Sequence, residues 1–377
     1  MGWAALSELV PYYPLYALLF LDTGLSTAQI SVLFAAWSIT GFVSEIPAGA
    51  LADRWSRRGV VALASVLQAV GFVVWTAAPA FAAFLIGFVI WGVGGALVSG
   101  ASEALVHDAL ADVGAEGSFA RVYGWMTAAE LLVQVPTAFA ASALFAVGGY
   151  ELVGWASVAV CLAAALLALR FPEPPRESDD DDSFAGTLRQ GVREAVHTPR
   201  LRLTVLAVAL VGGLDAVEEY FPVLAFDQGI AVTAVPFAVL AIALAGALGA
   251  ALGGRAERLP DGALPVLLAV AGLCLGAAAL LPGVPALAAV AVFYGLYLAV
   301  LVVAETRLQQ RIDSAHRATI TSVAGLGIEL ASLLVFAAWA LGGAAAVAVL
   351  VLAVVPVVRS GLRVTVPGAP AAGRPTE

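Results

Sequence analysis

The sequence predicts an all-α membrane protein of twelve transmembrane helices in two pseudo-symmetric six-helix bundles, and three observations carry that prediction. The chain has 377 residues, of which 62% are hydrophobic and 12% charged, about half the charge of a water-soluble domain. At ~20 apolar residues per helical span, its apolar content suffices for about twelve spans. All 18 basic residues are arginine, and they fall on every second connection between those spans. Finally, several sequence landmarks recur at nearly one offset along the chain.

Taken in order, the apolar spans run at roughly 3–21, 27–50, 60–78, 81–105, 120–147, 152–171, 203–225, 232–253, 263–281, 284–304, 319–341 and 342–358. The first has no basic start and contains Glu8, Pro11 and Pro14, which separates it from a cleavable leader and makes it a retained helix. Arg54, Arg57 and Arg58 follow span 2, and Arg121 follows span 4. Six arginines lie between spans 6 and 7, Arg255 and Arg258 follow span 8, Arg307, Arg311 and Arg317 follow span 10, and the rest close the chain. Because positive residues stay on the cytoplasmic side, both termini are expected inside. The expected units are residues 1–171 and 203–358 as the two bundles, 172–202 as a cytoplasmic linker and 359–377 as a cytoplasmic tail. The linker holds Pro172, Pro174, Pro175, the acidic run Asp179 to Asp182 and a short amphipathic piece, 184–196. Prolines and like charges favour an extended, solvated connection.

The two halves resemble each other. Gly49 to Trp55 after span 2 matches Gly253 to Leu259 after span 8 at an offset of 204 residues; Glu103 matches Glu305 at 202, and Arg121 matches Arg317 at 196. Parallel repeats of this kind typify one large class of secondary transporters.

Composition also excludes much. Without lysine there is no Schiff-base chemistry and no phosphate loop ending in Gly-Lys, so Gly92, Gly94 and Gly95 read as close helix packing. A net charge of −9 argues against a nucleic-acid partner. Cys161 and Cys274 lie in apolar stretches and His107, His197 and His316 near polar loops, so neither a disulfide nor a metal site is expected. No cofactor is implied, and with no nucleophile, base and orienting group together outside the lipid, an enzyme is not expected.

The stretch Gly49 to Arg58, GALADRWSRR, resembles the signature G-x-L-x-D-R-x-G-R-R of the major facilitator superfamily, departing only at Ser56. Glu45-Ile46-Pro47, Ser99-Gly100-Ala101, Glu103-Ala104-Leu105 and Asp108 resemble its bacterial exporter-type branches. Two features of the proton-coupled drug exporters are missing. Phe88 stands where helix 4 carries an arginine, and the helix 5 signature is reduced to Val135-Pro136-Thr137-Ala138-Phe139-Ala140. The resemblance implies that spans 1, 4, 7 and 10 line a central cavity.

An ionisable group at membrane depth costs at least ~2.5 to 3.5 kcal/mol, so each marks a cavity or a partner. The candidates are all acidic. Asp215, Glu218 and Glu219, at i, i+3 and i+4, share one face if span 7 is a regular α-helix. Like charges that close cannot all ionise cheaply, so this group is expected to accept a proton or attract a cation, unless Glu218 and Glu219 lie high enough to meet outside water. Glu130 and Glu329 are the next proton-coupling candidates, with a hydrogen bond to a neighbouring helix as the alternative. Glu103, Asp108 and Glu305 near the cytoplasmic ends, facing Arg54, Arg57, Arg58 or Arg307, are expected to form a cytoplasmic gate, to which the family resemblance adds Gly49 and Asp53; ordinary surface pairing is the alternative. Glu8, Tyr12, Tyr16, Trp91, Tyr220, Tyr294 and Tyr297, on the four lining spans, form the expected substrate cavity, since aromatic faces beside carboxylates suit amphipathic cations.

These readings converge on a secondary active transporter in the cytoplasmic membrane of a bacterium, a monomer working by alternating access. Its expected partners are a small-molecule substrate, protons and the lipid bilayer, and its expected action is proton-coupled export of an amphipathic compound. A proton-coupled importer or an uncoupled facilitator is the nearer alternative, and a non-transporting sensor or scaffold with the same fold the more distant one.

Overall fold

The computed structural model describes residues 1–172, 199–256, 260, 262–312 and 317–363. Its regular elements are α1 (Gly2–Glu8), α2 (Tyr16–Asp22), α3 (Thr27–Arg54), α4 (Arg57–Ala77), α5 (Phe81–Asp112), α6 (Phe119–Ala168), α7 (Pro199–Gly213), α8 (Phe221–Asp227), α9 (Val235–Ala256), α10 (Ala263–Ala278), α11 (Val284–Arg311) and α12 (Arg317–Gly361). Short 3-10 turns occupy Glu116–Ser118, Leu214–Tyr220 and Val232–Ala234. Every span expected from the sequence has a helical counterpart, and among the described residues seven helices are long and apolar enough to cross a membrane. The chain is a multi-pass membrane protein.

Two rods are longer than any bilayer requires because each is a pair. α6 bends at Gly148-Gly149 and α12 at Gly342-Gly343, where the second glycine of each pair has φ of +58° and +57°. Only glycine adopts that region without strain, so each pair ends one helix and starts the next. Each lies 194 residues from its counterpart, so the two halves turn by the same device.

The expected helix over 3–21 is not continuous. Pro11 and Pro14 remove helical donors and clash with the preceding turn, and residues 9–15 separate α1 from α2. Span 7 is likewise interrupted, by the 3-10 turn at Leu214–Tyr220. The turns that follow are equivalent: Gly24 and Gly229 have φ of +84° and +80°, and Leu25 and Ile230 donate their N–H groups to Phe20 and Ala225.

Each half packs chiefly on itself: α3, α4, α5 and α6 in the first, α7 and α9 to α12 in the second. The halves meet where α3 packs on α12, α6 on α9 and α2 on α8. The repeat relates α3 to α9 and the first arm of α6 to that of α12, so the first two contacts exchange and the third maps onto itself. That is the signature of a two-fold pseudo-axis between the bundles. Apolar side chains stand exposed in stripes at helical spacing, such as Leu244, Leu248 and Leu252 on α9 and Leu330, Leu334 and Leu341 on α12, as lipid-facing surfaces require.

Candidate functional site

The two ends of the molecule differ. At the end away from the arginines the faces between the halves are buried and joined. Tyr16 donates a hydrogen bond to the Glu219 carboxylate. Ser31 bonds Tyr220 at 2.7 Å, and Ser38 donates to Glu329 at 2.8 Å and contacts the Ser332 hydroxyl at 3.1 Å. Around these bonds lie rings from both halves. Phe34 meets Tyr220 and Phe336 at 5.3 and 5.7 Å, and Tyr220 stacks on Trp339 at 4.1 Å. A further ring contact joins Phe139 of α6 to Phe237 of α9.

Toward the arginine-bearing end the same faces become accessible. On α12, Phe336 and Ser332 are buried whereas Glu329, Gly325 and Ser322, about one, two and three turns further along, are exposed. On α3, buried Ser38 is followed two turns later by exposed Glu45; on α5, buried Phe88 by exposed Gly95, Ser99 and Glu103; on α11, buried Tyr294 by exposed Glu305. The facing surfaces therefore part on the arginine side and close on the other.

The acidic group of span 7 lies where these regions meet, but not on one face as a regular α-helix requires. In a 3-10 turn residues three apart eclipse, so Asp215 and Glu218 align and Glu219 points elsewhere. The Tyr294 hydroxyl lies 3.1 Å from Asp215 Oδ1 and 3.0 Å from Glu218 Oε2. A phenol has one proton to donate. That proton goes to one of the two carboxyls or is shared between them in a three-centre bond. Glu218 is exposed here, on the open side, while Tyr297 is fully buried and donates to the Gly212 carbonyl.

Other candidates are distributed as follows. Glu8 and Glu130 are half-buried. Trp91 is half-buried against Tyr13, Trp37 and Phe88, with ring centroids 5.7, 5.2 and 5.8 Å away. Tyr12, expected in the cavity wall, is instead fully buried inside the first half, where its hydroxyl bonds Thr76 at 3.0 Å and its backbone N–H donates to the Ser157 hydroxyl at 3.1 Å. Its ring packs on Phe72 and Trp75 because the break after α1 turns it inward. Glu329 does bond a neighbouring helix, and that bond crosses between the halves.

Of the expected gate, Arg57 pairs with Asp108 and bonds the Ala104 carbonyl, Arg58 bonds the Phe171 carbonyl, and Arg307 bonds the Leu362 carbonyl. Each of these bonds stays within one half. Glu103 accepts from Tyr123 at 2.7 Å, and Glu45 from Ser99 at 3.1 Å. Gly49 lies on α3; the side chains of Asp53, Arg54 and Arg317, and most of the linker, lie outside the described residues. Sequence reasoning missed Ser31, Ser38, Ser332 and Tyr123, whose hydroxyls make these contacts, because a hydroxyl costs far less in an apolar span than a charge does and so does not stand out.

Comparison with known proteins agrees with this architecture. The Major Facilitator Superfamily profile matches residues 2–336. No curated protein sequence matches the chain. Among solved structures, the nucleoside transporter NupG superposes with a TM-score of 0.73 at 13% identity, over 94% of each chain. A bacterial homologue of the human lysosomal transporter Spinster, inward-facing and unoccupied, gives 0.71 at 18% identity over 96% of this chain and 90% of its own. The xylose transporter XylE from E. coli, inward open, gives 0.64 at 16% identity over 94% of each chain. A profile that spans most of the sequence, on a fold with these relatives, decides the matter: the chain belongs to the major facilitator superfamily, a superfamily of membrane transporters.

Proposed function

We propose that this transporter exports an amphipathic small molecule, neutral or cationic, in exchange for protons, by alternating access of its two six-helix halves. In this reading 1–171 and 203–358 are the moving units, 172–202 links them, and 359–377 is a tail. The arginine-bearing end faces the cytoplasm of a bacterium, and the accessible faces are those of an inward-facing state.

The observation that carries the coupling is the Tyr294 hydroxyl between Asp215 and Glu218. A proton shared there, beside an exposed Glu218, can be released to the side that is open. Glu130 and Glu329 are further proton-coupling candidates. The accessible wall carries Glu45, Glu103, Glu218, Glu305 and Glu329, while Arg57, Arg58 and Arg307 are engaged at helix ends. Such a wall has a negative potential that concentrates cations, and Trp37 and Trp91 offer aromatic faces beside it. Glu8, Tyr16 and Tyr220 complete the substrate region; Tyr297, expected there, is fully buried behind it with its hydroxyl on the Gly212 carbonyl. Gly49, Asp53, Arg54, Arg57, Arg58, Glu103, Asp108, Glu305 and Arg307 form the inner gate, which pairs across the halves when that side closes. Pairs of this kind bias two states by about 1 to 3 kcal/mol.

The test uses the purified full chain in proteoliposomes with tetraphenylphosphonium as the probe and an imposed pH gradient. Flux opposite in direction to the proton flow supports the proposal. Flux along the proton flow makes the protein an importer, flux indifferent to pH makes it a facilitator, and binding without flux overturns the transport reading altogether.

A further inference from the structure

The outward side of the first half carries a groove that the transport reading does not use. It lies where α4 packs on the second arm of α6, residues 150–168, and has a volume of about 540 Å³. Its lining is apolar throughout. Ala62 and Ala165, each 5% exposed, form the floor, and Val66, Leu162, Leu166 and Leu169 stand exposed along the sides. The 194-residue offset that relates the bends of α6 and α12 puts Arg359 where Ala165 stands, so the groove belongs to this half and not to the fold in general.

Both helical stripes that form the groove end in arginine. Arg58 is four residues before Ala62 on α4. Arg170 is four residues after Leu166, and Leu169 between them still has helical dihedrals, φ −64° and ψ −14°. That spacing keeps each arginine on its stripe. Arg58 donates to the Phe171 carbonyl at 3.3 Å, which brings the two arginine-bearing ends together, and Arg170 is exposed. Trp55, also exposed, closes the groove at this level with its indole against the first turn of α4; a Cβ on Gly59 would lie 3.9 Å from its Cζ2. Such a ring favours the boundary between hydrocarbon and headgroups. From Arg58 to Val66, and from Leu162 to Arg170, is eight residues, or about 12 Å along a helix, against about 15 Å for one leaflet of hydrocarbon. Besides Arg57, which pairs with Asp108, and Glu151 at the far end of the arm, α4 and this arm carry no other charge.

The geometry points to a binding site for an anionic glycerophospholipid, with one acyl chain along the Ala62 and Ala165 floor and its phosphate at Arg58 and Arg170. The groove has a lipid's own order: apolar for most of the depth of one leaflet, then an aromatic ring, then two guanidinium groups, whose planar forks match phosphate oxygens. A soluble anion would leave the apolar floor unused. A second copy of the chain in the same membrane orientation would bring its own arginines to the same level. Bound there, the headgroup links the start of α4 to the end of α6 through their arginines, beside the bond that Arg58 already makes.

The experiment places the full chain in vesicles of phosphatidylcholine with a minor share of phosphatidylglycerol. The acyl chains of one lipid at a time carry bromine, which quenches tryptophan emission on contact, and the difference between wild type and Trp55→Phe isolates the signal of Trp55. Brominated phosphatidylglycerol is expected to quench Trp55 at least about fivefold more than its share of the vesicle accounts for, a preference that two arginines beside an anionic headgroup can supply. Arg58→Gln with Arg170→Gln is expected to abolish that preference while brominated phosphatidylcholine still quenches Trp55, which shows the groove intact. Arg58→Lys with Arg170→Lys keeps the charge and is expected to keep most of the preference, a retention that misfolding does not imitate. Quenching in proportion to the bulk share, or a preference undiminished in the glutamine pair, overturns the proposal. So does a preference that added inorganic phosphate removes, since the site is then one for a soluble anion. Quenching of Trp55 by neither lipid overturns it too, because protein, such as a second copy, then covers the groove.

Discussion

At the scale of single residues, the site depends on hydrogen-bond arithmetic. Tyr294 has one proton and two carboxyl neighbours, so in the proposed coupling its hydroxyl is the link between Asp215 and Glu218. Tyr294→Phe keeps the ring that packs on Phe221 and Tyr297 and removes that link. It is expected to reduce proton-driven flux about tenfold or more while changing tetraphenylphosphonium binding less than about threefold. The magnitude follows from losing one hydrogen bond to a charged group, about 1.5 to 3 kcal/mol. Flux and equilibrium binding measured on the same reconstituted protein check it. The acidic candidates were legible in the sequence because burying a carboxyl is costly and every one in an apolar span stands out. Their grouping was not, because i, i+3, i+4 spacing gives a common face only in an α-helix. Ser56 shows the converse. It looked like a lapse from the family signature, yet its hydroxyl accepts from the Gly59 N–H at 3.0 Å and caps α4, a role serine fills better than glycine.

Elements in this chain are positioned largely by glycine. On α9, Gly246, Gly249 and Gly253 are buried along one stripe that meets Tyr294, Gly295 and Val302 of α11. A methyl group on Gly249 meets the backbone carbonyl of Gly295, and backbone cannot step aside as a flexible side chain can. Gly249→Ala is therefore expected to force α9 and α11 apart and to destabilise the second half by about 1 to 3 kcal/mol, the usual cost of overpacking. The drop is read as a lower melting temperature in detergent, and because α11 carries Tyr294, weaker proton-driven flux is expected with it. Gly254→Ala, five residues further along α9 but with open space around it, is the matched control and is expected to melt like the wild type. Helix existence and order were legible from hydropathy alone. The equivalence of the glycine turns at Gly24 and Gly229, and at Gly149 and Gly343, was not, because it resides in positive φ angles rather than in residue chemistry. The interruption of span 1 was signalled by Pro11 and Pro14, whereas that of span 7 had no comparable residue inside it.

For the whole molecule, alternating access makes a demand that the pseudo-symmetry sharpens. The seam between α3 and α12 and its counterpart between α6 and α9 both hold together the end away from the arginines, so the proposed export requires both to part. Ser38 and Ser332 face each other across the first seam with hydroxyl oxygens 3.1 Å apart, which brings their side chains within reach of a disulfide, whose sulfurs sit ~2.05 Å apart. Ser38→Cys with Ser332→Cys, in a chain whose Cys161 and Cys274 are alanine, is expected to form that bond on oxidation. The covalent bond cannot part with the seam, so the molecule is held with its outer end closed. Flux of tetraphenylphosphonium is expected to fall to the level of empty vesicles when oxidised and to return on reduction, while binding from the open side persists in both states. Either single cysteine variant is expected to ignore the oxidant, which separates cross-linking from damage. Should a fully cross-linked protein still transport, the outer seam does not open during turnover, and the two halves would have to pass their cargo by some motion other than a rocking that parts this seam.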